Sequence, residues 1–199
     1  DYSLKYLTQF HYSVIAQTPL HLIAHGTGAF QNENTTTFIE KTSNKDTLKL
    51  LYVSTVKKYK HHCNLIDAVG LLRKEGISVE LHLIGGGDSK ALCLMQDAIY
   101  RNRSEKGFIF YHGNLPYEET LDWYHKTDIF VFPSTCETFG ISLLEAMAAG
   151  LPIASSDRGP MPEVLKNAGL YFNPESVISI KNCLRYMIEH PDLMQSLAA

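Results

Sequence analysis

The chain of 199 residues is 45% hydrophobic and 20% charged, an ordinary globular balance that supports one domain with a sizeable core and a fragment of another. Its 18 basic and 21 acidic residues leave a net charge of −3, which excludes the basic footprint of an electrostatic nucleic-acid binder. No apolar run approaches ~18 residues, so no transmembrane helix is expected, and no charged-then-apolar signal segment is present.

Residues 1–19 are mixed, and Leu20–Ala24 reads as a short strand closed by His25-Gly26. Residues 31–47 are rich in Asn, Thr, Ser and Lys and read as a linker. From Leu48 the pattern becomes regular. Leu48–Ser54 is an apolar strand, and His62–Lys74 repeats apolar positions at helical spacing, with Gly76 as a stop. Val79–Ile84 is a strand running into Gly85-Gly86-Gly87-Asp88, followed by a helix over Lys90–Arg101. Phe108–Tyr111 is a strand ending in His112-Gly113-Asn114-Leu115-Pro116, and Tyr117–Lys126 is a helix opened by Pro116 and the acidic Glu118-Glu119. Ile129–Phe132 is a strand, Phe139–Ala149 a helix stopped by Gly150, and Pro152–Ser155 a strand. A short helix over Pro162–Lys166, a strand over Leu170–Phe172, a helix over Ser176–Glu189 and a helix starting at Pro191 complete the series.

Short apolar strands alternating with helices predict an α/β fold: a Rossmann-like, doubly wound parallel sheet with helices on both faces. Ligands of such sheets bind at the carboxyl ends of the strands, where the turns after Ile84, Tyr111 and Phe132 fall. The four cysteines (Cys63, Cys93, Cys136, Cys183) are scattered without a C-x-x-C pair, so neither a zinc ribbon nor a disulfide framework is indicated and a reducing, cytoplasmic compartment fits best. His61-His62-Cys63 has metal-ligand residue types, but adjacent residues at a helix start point in different directions, and a plain helix entry is the preferred reading. The chain begins at Asp1 and stops at Ala199 within a helical pattern, so a fragment of a longer protein is expected.

Two glutamates eight positions apart, Glu137 and Glu145, bracket Gly140 where the strand ending at Phe132 gives way to a helix. A strand–turn–helix unit offers free backbone N–H groups and a positive dipole end, which suits a phosphate. Carboxylates are good acceptors for sugar and ribose hydroxyls, so a site combining both would bind a nucleotide-sugar. Glu145 lies about one and a half turns into a helix that is apolar nearly all round, where a lone buried carboxylate is costly without a partner. Side chains lean toward the helix N-terminus, which would point Glu145 back at the site. Lys60 follows the first strand at its carboxyl edge and could reach the phosphates from the opposite side. Asp157 and Arg158 follow a later strand on the same edge. Gly85-Gly86-Gly87 is either a tight turn or a backbone that lets a ligand approach; Lys90 stands where a G-x-G-x-x-G fingerprint needs its last glycine, and no P-loop occurs.

The segment from Asp128 to Gly169 resembles the donor-binding domain of retaining glycosyltransferases of family 4, the group 1 glycosyltransferases of GT-B fold. The likeness rests on Pro133-Ser134, on Glu137-x7-Glu145 with Gly140 inside, and on Glu145-Ala146-Met147-Ala148-Ala149-Gly150-Leu151-Pro152-Ile153. Gly159 and Pro162-Glu163-Val164 continue it, and Tyr52-Val53-Ser54 with Lys60, Leu83–Gly87 and His112–Leu115 precede it in the family's order. The resemblance implies that Glu145 binds the ribose hydroxyls and Glu137 the transferred sugar. It also implies that N–H groups around Phe139, Gly140 and Ile141 hold the diphosphate, that Lys60 stabilises the leaving group, and that Gly85, Gly86, Asn114 and Leu115 complete donor binding, the last two at the base. Where the family has Gly-Arg this chain has Ser54-Thr55; Lys57 or Lys58 are the candidate substitutes, though Lys does not reproduce a bidentate arginine.

On this reading residues 1–30 are the end of an N-terminal acceptor domain, 31–47 a linker, and 48–199 a donor-binding domain truncated before a final crossing helix. The expected activity is retaining transfer of a sugar from a nucleotide diphosphate donor to a glycan or lipid-linked acceptor, with Glu137 and Lys60 as catalytic residues. No Asp-x-Asp occurs, and no cofactor or catalytic metal is expected. The fragment alone is expected to bind donor without transferring. The resemblance places the full-length protein in the cytoplasm, with peripheral association at the inner face of a membrane left open. The alternatives are a nucleotide-sugar epimerase and a non-catalytic nucleotide-binding module of the same fold.

Overall fold

The computed structural model describes residues 46–105 and 107–198; the strand expected over Leu20–Ala24, the acceptor-domain remnant and nearly all of the linker lie outside them. Six parallel strands form one sheet: β1 (Leu48–Val53), β2 (Val79–Ile84), β3 (Ile109–Tyr111), β4 (Ile129–Phe132), β5 (Ile153–Ser156) and β6 (Gly169–Phe172). The helices are α1 (His62–Lys74), α2 (Ser89–Arg101), α3 (Tyr117–Lys126), α4 (Ile141–Ala148), α5 (Met161–Leu165), α6 (Val177–Glu189) and α7 (Pro191–Leu197). Every element expected from Leu48 onward is present.

The strands are mostly apolar, with few polar residues such as Lys49, Glu80 and His82, because both sheet faces are covered. All four residues of β4 are buried, as are Leu50, Leu51 and Tyr52 of β1. Parallel neighbours require right-handed crossovers, and these lay α1, α2 and α6 together on one face, while α3 packs on β1 and α5 on β5. Helix ends follow local chemistry. Gly76 turns left-handed (φ 85°) after α1, Asp88 accepts the Ala91 N–H at 3.0 Å to cap α2, and Ser176 accepts the Ser179 N–H at 3.2 Å to cap α6.

The strand order is β3-β2-β1-β4-β5-β6, so the chain winds outward from β1 in one direction and from β4 in the other. The connections leaving β1 and β4 therefore diverge, opening a crevice at the carboxyl edge between them. Those two strands are pinned at their other end by the buried Asp128, whose carboxylate accepts the Lys49 N–H at 2.9 Å while its own N–H donates to Lys49 O at 2.9 Å.

The glycine triplet after β2 meets the chain's own atoms. A Cβ on Gly85 (φ 128°) would lie 2.1 Å from Ser54 O, and one on Gly87 would lie 2.5 Å from Val56 O. These residues let the β2 turn press against the segment leaving β1. Gly85→Ala is expected to destabilise the fold by about 2–4 kcal/mol, combining left-handed strain with backbone overlap. Urea denaturation would detect this as a lower midpoint, and a midpoint equal to wild type would contradict the packing role.

Two buried imidazoles set the acid response. His82 on β2 shares a hydrogen bond between its Nδ1 and His112 Nε2 (3.1 Å), stacks on Phe110 and lies 4.4 Å from the Trp123 ring. Burial, then His112 and Lys49, push its pKa down to about 4. His62 is pushed down to about 3 by burial, then by Lys60 and His61. Both rings fold neutral, while the unfolded chain takes up protons near pH 6.5. Their contribution is therefore complete above about pH 6.5 and is lost as pH falls toward 4 and 3. The melting temperature is expected to drop between pH 7 and pH 5, where ordinary carboxylates are still ionised; a flat profile over that interval would contradict the assignment.

Candidate functional site

The crevice is built by two loops stitched to each other. After β1 the chain passes Ser54-Thr55, makes a 3-10 turn over Lys58–Lys60, and enters α1 through His61, which is left-handed (φ 51°). Tyr52, fully buried against His62 and Phe132, donates its hydroxyl to Lys60 O at 3.0 Å and so props that turn from below. From the β4 side, Thr135 donates its N–H to Tyr59 O at 2.9 Å, and its hydroxyl lies 3.2 Å from His61 Nε2. Two residues on, Glu137 accepts a hydrogen bond from the Lys60 ammonium. Lys60 is only 8% exposed, so its charge is matched by a carboxylate from the opposite loop rather than by water.

Gly140 then turns left-handed (φ 89°, ψ 63°) and serves as the N-cap of α4. The helix starts at Ile141, not at Phe139 as the apolar pattern suggests, because a residue at that φ lies outside the helical region. The difference matters chemically. A glycine N-cap has no side-chain oxygen, and no side chain caps α4; Leu143 N–H turns back to Gly140 O at 3.0 Å, while Ile141 and Ser142, the first two residues of the helix, border the crevice at its positive end.

Glu145 is the fifth residue of α4. Its Oε2 accepts the Tyr124 hydroxyl at 2.8 Å, across from α3. This is the partner a half-buried carboxylate in an apolar helix requires. Burial, then the Glu145 charge, hold the Tyr124 phenol well above its ordinary value, and Tyr117 is raised by the same two causes. The Tyr124 phenol therefore remains protonated and acts as a donor.

Together these loops enclose an open cleft of about 370 Å³ whose wall includes Lys60, Glu137, Gly140, Ile141 and Glu145. Phe139 is half-buried beside it. Gly85, Gly86, Asn114 and Leu115 lie at the ends of β2 and β3 on the same sheet edge but outside that wall. A Cβ on Gly86 would meet the Asn114 side chain at 2.6 Å, so this glycine makes room for the asparagine. Asp157 and Arg158 pair with each other at 3.2 Å and do not line the cleft.

Sequence reasoning missed Thr138 and Ser142, hydroxyls that line the cleft with Ser54 and Thr55. Ser142 carried a signal, being polar within an apolar helix. Lys57 donates to Asp88 Oδ2 at 3.1 Å, at the start of α2, and neither Lys57 nor Lys58 is among the residues that line the cleft. Among the residues of the cleft wall Lys60 is the one cation. Among the described residues no three His, Cys, Asp or Glu side chains cluster as a metal set, and no helix is long and apolar enough to cross a membrane.

Comparison with known proteins places this geometry. The O-antigen chain mannosyltransferase B of Escherichia coli is 32% identical over 130 residues, covering 65% of this chain and 34% of the relative. Glycogen synthase of Mycobacterium tuberculosis is 30% identical over 152 residues, covering 75% and 36%. The chain thus spans about a third of the length of these curated relatives. Sucrose-phosphate synthase from Thermosynechococcus elongatus superposes with a TM-score of 0.68 at 21% identity, over 81% of this chain and 41% of that one. Anabaena HepE, solved in complex with UDP and glucose, gives 0.68 at 19% identity over 81% and 44%. These solved neighbours share the Rossmann-like sheet of GT-B glycosyltransferases. Residues 33–199 match the family described as glycosyl transferases group 1, and the chain belongs to that family.

Proposed function

We propose that the cleft holds the nucleoside diphosphate of a sugar donor, and that the whole protein is a family 4 hexosyltransferase. It transfers the sugar with retention of configuration to a glycan or lipid-linked acceptor. The observation that carries this reading is the convergence, at the divergence point of β1 and β4, of an uncapped helix N-terminus, a buried lysine and two carboxylates. The relatives support it: one is named a mannosyltransferase, and HepE was solved with UDP and glucose.

The roles follow from the chemistry of each group. Backbone donors at Gly140 and Ile141, with the α4 dipole, receive the diphosphate. As the bond between the anomeric carbon and the β-phosphate oxygen breaks, negative charge grows on that oxygen. Lys60 and the α4 N-terminus supply fixed positive potential there, and no catalytic metal is required by this arrangement. Glu137 accepts from hydroxyls of the transferred sugar, and Glu145 from those of the ribose. Asn114 and Leu115 receive the base at the end of β3, with Gly85 and Gly86 closing the adjoining wall. The acceptor is supplied by the other domain, so this chain alone binds donor without transferring. The proposed compartment is the cytoplasm, where a lipid-linked acceptor would be met at the inner face of a membrane.

Calorimetric titration of the chain with UDP, GDP and ADP is expected to show one preferred nucleotide. Glu145→Ala should weaken it by about 1–3 kcal/mol, the cost of unmet hydroxyl partners. Unchanged affinity in the folded variant would remove the ribose role. Glu137→Ala is expected to weaken the sugar-bearing nucleotide more than the free diphosphate, and equal losses for both would count against a sugar contact.

A further inference from the structure

Tyr124 is completely buried, with its ring 5.5 Å from that of Phe130, yet its hydroxyl reaches out of the core to Glu145 Oε2 at 2.8 Å. Phenylalanine would fill the same apolar space, so packing alone does not explain a phenol. A buried hydroxyl is costly without a partner, and here it donates to Glu145 Oε2, with Ser142 O farther off at 3.4 Å; both belong to α4, in the cleft wall.

We infer that Tyr124 is a positioning residue for ribose recognition: it fixes the plane of the Glu145 carboxylate so that the remaining lone pairs face a vicinal diol. An ionised carboxylate has about four acceptor sites, and the Tyr124 bond occupies one, leaving capacity for two sugar hydroxyls. A glutamate side chain has three rotatable bonds, and holding one oxygen removes the rotamer search that would otherwise accompany binding. The inference rests on the ribose role of Glu145 and adds to it a residue from a separate helix.

The test uses the chain with Tyr124→Phe, Glu145→Ala and the double variant, each checked for a cooperative melt. They are titrated with UDP, GDP and ADP and with the 2′,3′-dideoxy form of each. Tyr124→Phe is expected to weaken the preferred ribonucleotide about three- to tenfold, as for loss of one supporting hydrogen bond, and to leave its dideoxy form unchanged. The effect should vanish in the Glu145→Ala background. A loss shared by the dideoxy form, or persisting without Glu145, marks a merely structural tyrosine and overturns the inference. Wild-type affinity in Tyr124→Phe while Glu145→Ala is weakened overturns it and leaves the ribose role standing. Unchanged binding in Glu145→Ala, or no nucleotide bound by the folded wild type, overturns both. Should Tyr124→Phe fail to melt cooperatively, Glu145→Gln, which keeps an oxygen for Tyr124, decides by the same comparison. Ribonucleotide affinity nearer wild type than Glu145→Ala supports the inference, and equal losses overturn it.

Discussion

Everything at this site depends on the reversal of strand order between β1 and β4. Because right-handed crossovers carry the chain away from β1 on one side and from β4 on the other, the two loops cannot cover each other. A gap at the carboxyl edge is imposed by topology before any side chain is chosen. The sequence then places its polar investment there, from Ser54 to Lys60 on one lip and from Glu137 to Glu145 on the other. Asp128 fixes the far ends of the same two strands through paired bonds to Lys49, so the lips are held on a rigid base.

Within the gap, charge is balanced across the lips. Lys60 is nearly buried and its ammonium rests on Glu137, which ties the loops together and keeps each charge from standing alone in a low-dielectric wall. On the proposed reading a diphosphate would offer Lys60 a second anion, so donor binding would be felt by both loops. The left-handed Gly140 completes the arrangement by denying α4 a side-chain cap. A serine or aspartate there would offer a side-chain oxygen to the first N–H groups of the helix, which the glycine does not.

The strands were legible in the sequence because burial on both faces writes them as unbroken apolar runs, such as Ile129–Phe132. Helix limits were legible where chemistry punctuates them, at Gly76 and at Pro116 with Glu118-Glu119. The start of α4 was not, since Phe139 and Ile141 fit the apolar pattern and only backbone geometry shows that Gly140 breaks it. Of the site, the glutamate pair and Lys60 were visible as residue types at a strand–turn–helix junction. Tyr124 was not, because a bond between α3 and α4 depends on how two helices lie side by side. The glycine triplet stayed ambiguous until the positions of Ser54 O and Val56 O showed what presses against it.

The central claim, that a nucleoside diphosphate seats between the β1 and β4 lips, is tested most directly by amide NMR of the isotope-labelled chain during titration with UDP, GDP and ADP. The account predicts that the largest shifts fall on Gly140, Ile141 and Ser142, with smaller ones at Ser54, Thr55 and Glu137. Shifts confined to other parts of the sheet edge, such as the Asp157-Arg158 turn after β5, would contradict it.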